Sequence, residues 1–382
     1  MLLSDIGLTI PLFERGNNGI PTTNVAVEDI ARRCTSYEHT IAARGGFESM
    51  RVGFPCSKDE AVNIFNTWLG RSTVVYSPDI AVIWEGQLAG ITMTLGQRRR
   101  SISLEKLSNR LRCRYTDENG ATTATSPTSD ATSIALYGTK DAVVSASSIT
   151  STQASGIAAR ALAQWKNPQQ QPDTKIMTGN LGDVSVDLLF KGWYWTLGWV
   201  VTSRTSTTAT ATGTQIGALI AASGVGIGVT NAFLSTSTAN IGTTGVTATE
   251  FIADETTYQE KIEQLVAQGD GADRWVLMCL EDRVLALRKW AGATPSTVSY
   301  VAHLGDHRVY TPEGRLVNPW DVRPDTMYQE VDLLNPSLVS AYDDATRQYV
   351  ERVVCTISPS RIGVTLEPQA SDSLDTLLRG IS

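Results

Sequence analysis

Residues 72–95, STVVYSPDIAVIWEGQLAGITMTL, decide how this chain folds. β-Branched and aromatic residues crowd three runs, Ser72–Tyr76, Ile80–Glu85 and Gln87–Leu95, and such residues fit the pleated, half-buried surface of a strand. Glu85-Gly86 supplies a turn between the last two. Upstream, Ser57-Lys58-Asp59-Glu60 precedes Ala61, Val62, Ile64, Phe65, Trp68 and Leu69. That is a helix start, with an N-cap serine, a glutamate three residues on and an apolar face at helical spacing, and Gly70 ends it. Downstream, Leu111-Arg112-Cys113-Arg114-Tyr115 alternates apolar and charged residues, as a strand with one buried face does. Residues 1–117 therefore predict a β domain with a helix across it.

Further along, 118–132 (ENGATTATSPTSDAT) has no apolar period and reads as a loop at a domain boundary. Thr150–Trp165 reads as a helix, because Ile157, Ala161 and Trp165 fall at i, i+4 and i+8. Val184, Val186 and Leu188 alternate with Asp183, Ser185 and Asp187, and Trp193–Trp199 gathers aromatics as central strands do. Residues 203–213, nearly all Ser, Thr, Ala and Gly, predict a mobile loop. A short helix follows at Thr214–Ala222, then a strand near Ile227–Leu234. Thr256–Gln268 is a helix with Tyr258, Ile262 and Val266 on one face and Gly269 as its stop. Strands Trp275–Leu280 and Arg283–Leu287 join at Glu281-Asp282. Val298–His303, Gly314–Val317, Val350–Ile357 and Ile362–Leu366 read as strands, and 369–382 as a frayed tail. No repeat of fixed period is present.

Composition narrows the function. The chain has 382 residues, enough for two or three compact domains. A formal net charge of −7 argues against a protein that grips nucleic acid, since the one basic run is Arg98–Arg100. The cysteines, at 34, 56, 113, 279 and 355, form no CxxC pair and predict reduced thiols, with Cys113 and Cys355 as buried small apolar residues. MLLSDIGLTIPLF lacks a basic segment ahead of its apolar residues, and Ile216–Val229 is short of the roughly 20 residues a membrane span needs. The expectation is a soluble protein folded in the cytoplasm, with no membrane insertion.

Reactive constellations each meet a plainer alternative. Gly224-Val225-Gly226-Ile227-Gly228 brings its third glycine one position early for a dinucleotide loop and leads into a strand. His303 and His307 have the spacing of two zinc ligands on a helix, but Gly305 and strand residues surround them. His39, in a strand, predicts a surface or capping role. Asp183 and Asp187 resemble a carboxylate pair, yet an even spacing simply places them on one solvated strand face. Trp193, Tyr194, Trp195 and Trp199 could stack on sugars, although adjacent strand residues point to opposite faces. No catalytic, cofactor-binding or metal-binding residue is assigned.

The order of motifs carries more than any one of them. Glu38–Met50 (EHTIAARGGFESM), Val82–Leu88 (VIWEGQL) and Ser103–Tyr115 (SLEKLSNRLRCRY) resemble the N-terminal part of phage tail hub proteins, the baseplate hub family. There a glycine pair, a Trp-x-Gly strand and an Asn-Arg-x-x-x-x-Tyr strand recur in this order. Tyr137-Gly138-Thr139-Lys140, the helix at 150–165, Gly192–Trp199, Gly269-Asp270, Trp275 and Pro319-Trp320-Asp321-Val322-Arg323-Pro324 also look like that pattern, so the resemblance spans about 30–367.

The resemblance implies a mostly β chain with α+β elements: two β-barrel domains joined by a mixed α/β lobe, the second barrel discontinuous. The barrels would be 1–117, with its crossing helix, and 173–203 with 291–367. The lobe would be 118–172 with 204–290, and the tail 368–382. It further implies a non-enzymatic homotrimer at the distal end of the virion tail, made in the host bacterial cytoplasm. Its six similar barrels would match a sixfold tail tube, or distal tail protein ring, to threefold spike or fibre proteins beside the tape measure protein. DNA would cross the lumen without specific binding. No cofactor is implied. A receptor- or carbohydrate-binding tail-tip module is the alternative reading, and a cell-wall hydrolase a third.

Overall fold

The computed structural model describes residues 2–16, 21–175, 184–202, 205–206, 209–221, 233–248, 251–252, 256–269, 275–279, 281–289, 296–301, 306–310, 322–324, 327–332, 347–358 and 361–368. The chain opens with strands β1 (Pro11–Arg15), β2 (Pro21–Asp29), β3 (Ser36–Ala42) and β4 (Gly45–Pro55), then helix α1 (Lys58–Thr67), β5 (Ser72–Tyr76), β6 (Val82–Leu95) and β7 (Arg98–Ser103). A smaller group follows: β8 (Arg110–Thr116), β9 (Thr122–Ala124), β10 (Thr128–Ser129), α2 (Ala131–Tyr137), β11 (Asp141–Ser147) and α3 (Ser151–Trp165). After β12 (Gln169–Lys175) and β13 (Val184–Lys191) comes a 3-10 helix, Trp193–Trp199.

β13 positions everything else, because it lies antiparallel between β6 and β4. Leu188 is paired with Ile91 on one side and Val52 on the other. Alternation then sorts the side chains: Val186, Leu188 and Phe190 are buried, while Asp187 faces outward. Trp84 is wholly buried and meets the Phe190 ring edge-on, with centroids 6.3 Å apart. α1 covers this face with Ala61, Ile64 and Phe65. Each large apolar side chain so buried contributes about 1.5–3 kcal/mol. At the start of α1, Ser57 Oγ accepts the Glu60 N–H, and the Glu60 carboxylate pairs with Arg33 at 2.7 Å.

Glu85-Gly86 is not a turn. β6 runs unbroken through it, and glycine is required there because a Cβ would lie 2.2 Å from the Lys191 carbonyl oxygen. Close backbone approach, rather than chain reversal, explains the residue. Gly46 combines that constraint with a left-handed φ of 73°, since its Cβ would sit 2.2 Å from the Cys279 carbonyl oxygen.

Residues 118–132 also hold more structure than expected: β9 and β10 both pair with β8, and β11 joins β8 in parallel. Within 203–213, expected as a loop, the described residues 205–206 and 210–211 are strands of a ribbon and 212–213 begin a helix. β14 (Val201–Thr202), β15 (Thr205–Ser206) and β16 (Thr210–Ala211) lead to α4 (Thr212–Ile220). The return arm is β17 (Thr247–Ala248), β18 (Phe251–Ile252) and β19 (Thr256–Thr257), each pairing antiparallel with its opposite number. α5 (Tyr258–Ala267) follows, capped by reciprocal bonds between Thr257 and Glu260.

Strands β20 (Trp275–Cys279), β21 (Leu285–Lys289), β22 (Ser296–Val301), β23 (Asp306–Tyr310), β24 (Met327–Asp332), β25 (Arg347–Ser358) and β26 (Arg361–Pro368) complete the chain. The largest sheet runs β2-β1-β5-β6-β13-β4-β3-β25-β24-β22-β23, with β7, β12, β20, β21 and β26 branching from it. The fold is β-rich with α+β elements, as expected. The expected barrel closure is corrected: among the described residues no sheet returns to its starting strand, because the order ends on β2 and β23. Gly314–Val317, Gly224–Gly228 and the tail 369–382 lie outside the described residues. No described helix is long and apolar enough to cross a membrane.

Candidate functional site

Burial disposes of the histidine first. His39 is 1% exposed and its Nδ1 lies 2.6 Å from the Tyr37 hydroxyl, so the surface or capping role is corrected: this imidazole is a core side chain hydrogen-bonded to Tyr37. Burial, helped by the nearby Arg323 charge, pulls its pKa down to about 3. Cys355, opposite it on β25, is buried, and burial pushes its thiol up to about 12. A pKa near 3 leaves the imidazole a weak base, and the Cys355 thiol stays protonated at neutral pH. Cys113 is buried, as expected. His303 and Asp183 lie outside the described residues, and Asp187 stands on the outer sheet face near Arg99 and Arg51. Among the described residues no group of three or more potential ligands could hold a metal ion.

Trp193–Trp199 is a 3-10 helix, not a strand, so its aromatics spread around a tight coil instead of alternating between faces. Trp193 stacks on Phe233 at 5.8 Å and Trp199 meets the same ring edge-on at 5.4 Å, both in the core. Trp195 is half-buried, with its ring edge-on to Trp199 at 4.9 Å.

Lys140 crosses these rings. Its Nζ lies 5.2 Å from the Trp199 centroid and donates to the carbonyls of Leu104 (2.9 Å) and Glu105 (2.6 Å), while burial lowers its pKa to about 8. Its neighbours are equally committed. Asn109, wholly buried, accepts the Lys140 backbone N–H (2.8 Å) and donates to the Gly138 carbonyl (2.7 Å) and the Ser133 hydroxyl (3.2 Å). Arg110 forks onto Asp141 at 2.5 and 2.8 Å, and Asp141 also accepts the Val201 N–H at 3.0 Å. A lysine with a lowered pKa often marks a reactive site. Here both carbonyls and both rings hold it as a bolt between the β8–β11 group, the segment after β7 and the Trp193–Trp199 coil, while Asp141 ties the same group to the ribbon at Val201. Sequence motifs pointed to Asn109, Arg110 and Lys140, but nothing local signalled that Asp141 would reach Val201.

Glu85 is a buried ionisable group, 5% exposed. It accepts the Arg283 N–H at 2.8 Å and so holds the left-handed pair Asp282 and Arg283. Burial raises its pKa to about 7. Sequence reasoning missed it, because a strand glutamate is ordinarily exposed.

One open cleft of about 780 Å³ lies where β4, β13, the coil and α5 meet. Arg44, Glu48, Lys191, Tyr194, Trp195 and Glu263 are among its lining. The Tyr194 hydroxyl donates to Glu263 at 3.2 Å, and Arg352 bonds Glu48 at 2.9 Å.

The described residues thus define a β-rich scaffold in which Asn109, Lys140 and Glu85 are spent on joints between segments. No family model and no curated protein matches the sequence. Among solved structures, the 43 kDa tail protein of prophage MuSo2 from Shewanella oneidensis is similar over 95% of this chain and 96% of its own, at 7% identity and a TM-score of 0.44. The tail protein from Neisseria meningitidis MC58 is similar over 96% of this chain and 97% of its own, at 8% identity and a TM-score of 0.39. Likeness at this level assigns no residue and no activity.

Proposed function

We propose that this chain is a structural phage tail hub protein: a trimeric ring at the distal end of the tail, adapting a sixfold tube to threefold tip components and letting DNA pass. One observation carries the reading. The motifs that resemble the hub family in order are consumed in backbone joints. Gly46 admits β20, Gly86 admits the end of β13, Asn109 ties β8 to Gly138 and Lys140, and the Gly192 N–H donates to the Glu48 carbonyl at 3.2 Å. A chain whose signature residues build joints serves shape, and the reading assigns it no reaction. Tube or distal tail ring, spike or fibre and tape measure proteins are its partners in this reading.

Multi-angle light scattering of the full chain across micromolar concentrations tests it. The expected mass is three times 41.2 kDa. A monomer at every concentration sinks the ring.

A further inference from the structure

Ile80 stands at the tip of the connection between β5 and β6, 80% exposed. The other outlying large apolar side chains among the described residues, Leu2, Val27, Val62 and Leu136, reach only 36–44%. Its φ of 64° lies in the left-handed region, where a β-branched side chain is strained and glycine or asparagine is not. The turn is nevertheless firmly held. The Ser77 N–H donates to the Ala81 carbonyl (2.9 Å), the Ile80 N–H to the Ser77 carbonyl (2.9 Å) and the Ala81 N–H to Ser77 Oγ (3.2 Å), while Pro78 packs over Gly7. A rigid turn that bears strain to hold an apolar side chain in water has the form of an interface anchor.

We infer that Ile80 is a knob that enters a socket on a second copy of this chain, an inference that rests on the assembly reading above. The socket is a cavity of about 220 Å³ beside β3, β4 and β20, walled by Ile41, Phe47, Met278 and Pro324. Arg288, Arg323 and Glu281 also line it, with Glu281 and Arg323 paired at 3.9 Å. Arg288, exposed on the socket rim, is opposite in charge to Asp79, the exposed carboxylate beside the knob. Arg323 Nη2 donates to the Val82 carbonyl at 3.2 Å, two residues past Ile80, so the turn that carries the knob is tied to a residue of the socket wall.

The test combines thermal melting with light scattering on full-length chains. Ile80→Gly relieves the left-handed strain, so it should melt higher than the wild type at concentrations where both are dissociated. Its dissociation constant for assembly should rise on the order of tenfold or more. A residue of purely structural value would not separate the two readouts in this way. Asp79→Arg should weaken assembly, and adding Arg288→Asp should restore it. If Ile80→Gly assembles as tightly as the wild type, or the charge swap restores nothing, the knob and socket fall and the hub reading stands. A wild type that never leaves the monomer overturns both.

Discussion

Glu85 and His39 are both buried ionisable groups, and they pull stability in opposite directions. The folded state raises Glu85 from an ordinary 4.5 to about 7, so it binds that proton more tightly than the unfolded chain does. Stability from this group is complete below pH 4.5 and is lost as pH rises towards 7. His39 falls from 6.5 to about 3, so the unfolded chain takes up its proton first and stability drops as pH falls from 6.5. Between pH 4.5 and 6.5 the slopes oppose each other, each approaching about 1.4 kcal/mol per pH unit. Urea unfolding of the wild type should therefore be nearly flat with pH in that window. Glu85→Gln keeps an oxygen for the Arg283 N–H but removes the titration, and its stability should fall steadily on acidification. A variant as flat as the wild type would mean that Glu85 is not the compensating group.

Elements divide by what makes them. The helices α1, α3 and α5 were legible because their signals are local: Ser57, Thr150 and Thr257 each accept the N–H three residues on, and apolar residues recur at helical spacing. Misread elements are those whose cause is distant. Gly86 looks like a turn until the Lys191 carbonyl is seen against it, 105 positions along the chain. The Trp193–Trp199 coil has strand-like composition, but stacking on Phe233 sets its shape. The ribbon strands β14–β16 and β17–β19 have few apolar residues, since their arms are joined by backbone hydrogen bonds and by the Gln215 amide, which donates to the carbonyls of Thr210 and Ala248. At the candidate site the motifs marked Asn109 and Lys140, while Glu85 and the cleft depend on contacts no local pattern encodes. Gly86→Ala tests this account: its Cβ meets backbone that cannot yield alone, so a loss of about 3 kcal/mol or more in chemical unfolding is expected. A loss within the ordinary glycine-to-alanine range of about 1 kcal/mol would count against the close approach.

Across the whole molecule, the main sheet is stitched from both ends of the chain. β25 lies against β3, and Arg352 bonds Glu48 across 304 positions of sequence. A chain stopped at residue 346 lacks β25 and leaves the β3 edge unpaired in the middle of the sheet. Circular dichroism and sedimentation should find it misfolded or aggregated, whereas a folded monomer would show that β3 needs no partner. During synthesis the same wait is imposed on every copy. At about 5–20 residues per second the ribosome takes roughly 15–60 s to travel from β3 to β25. For that interval an open strand edge is presented to the surrounding cell, so timing at the ribosome, and the chaperones that meet it there, governs how many copies reach the finished sheet.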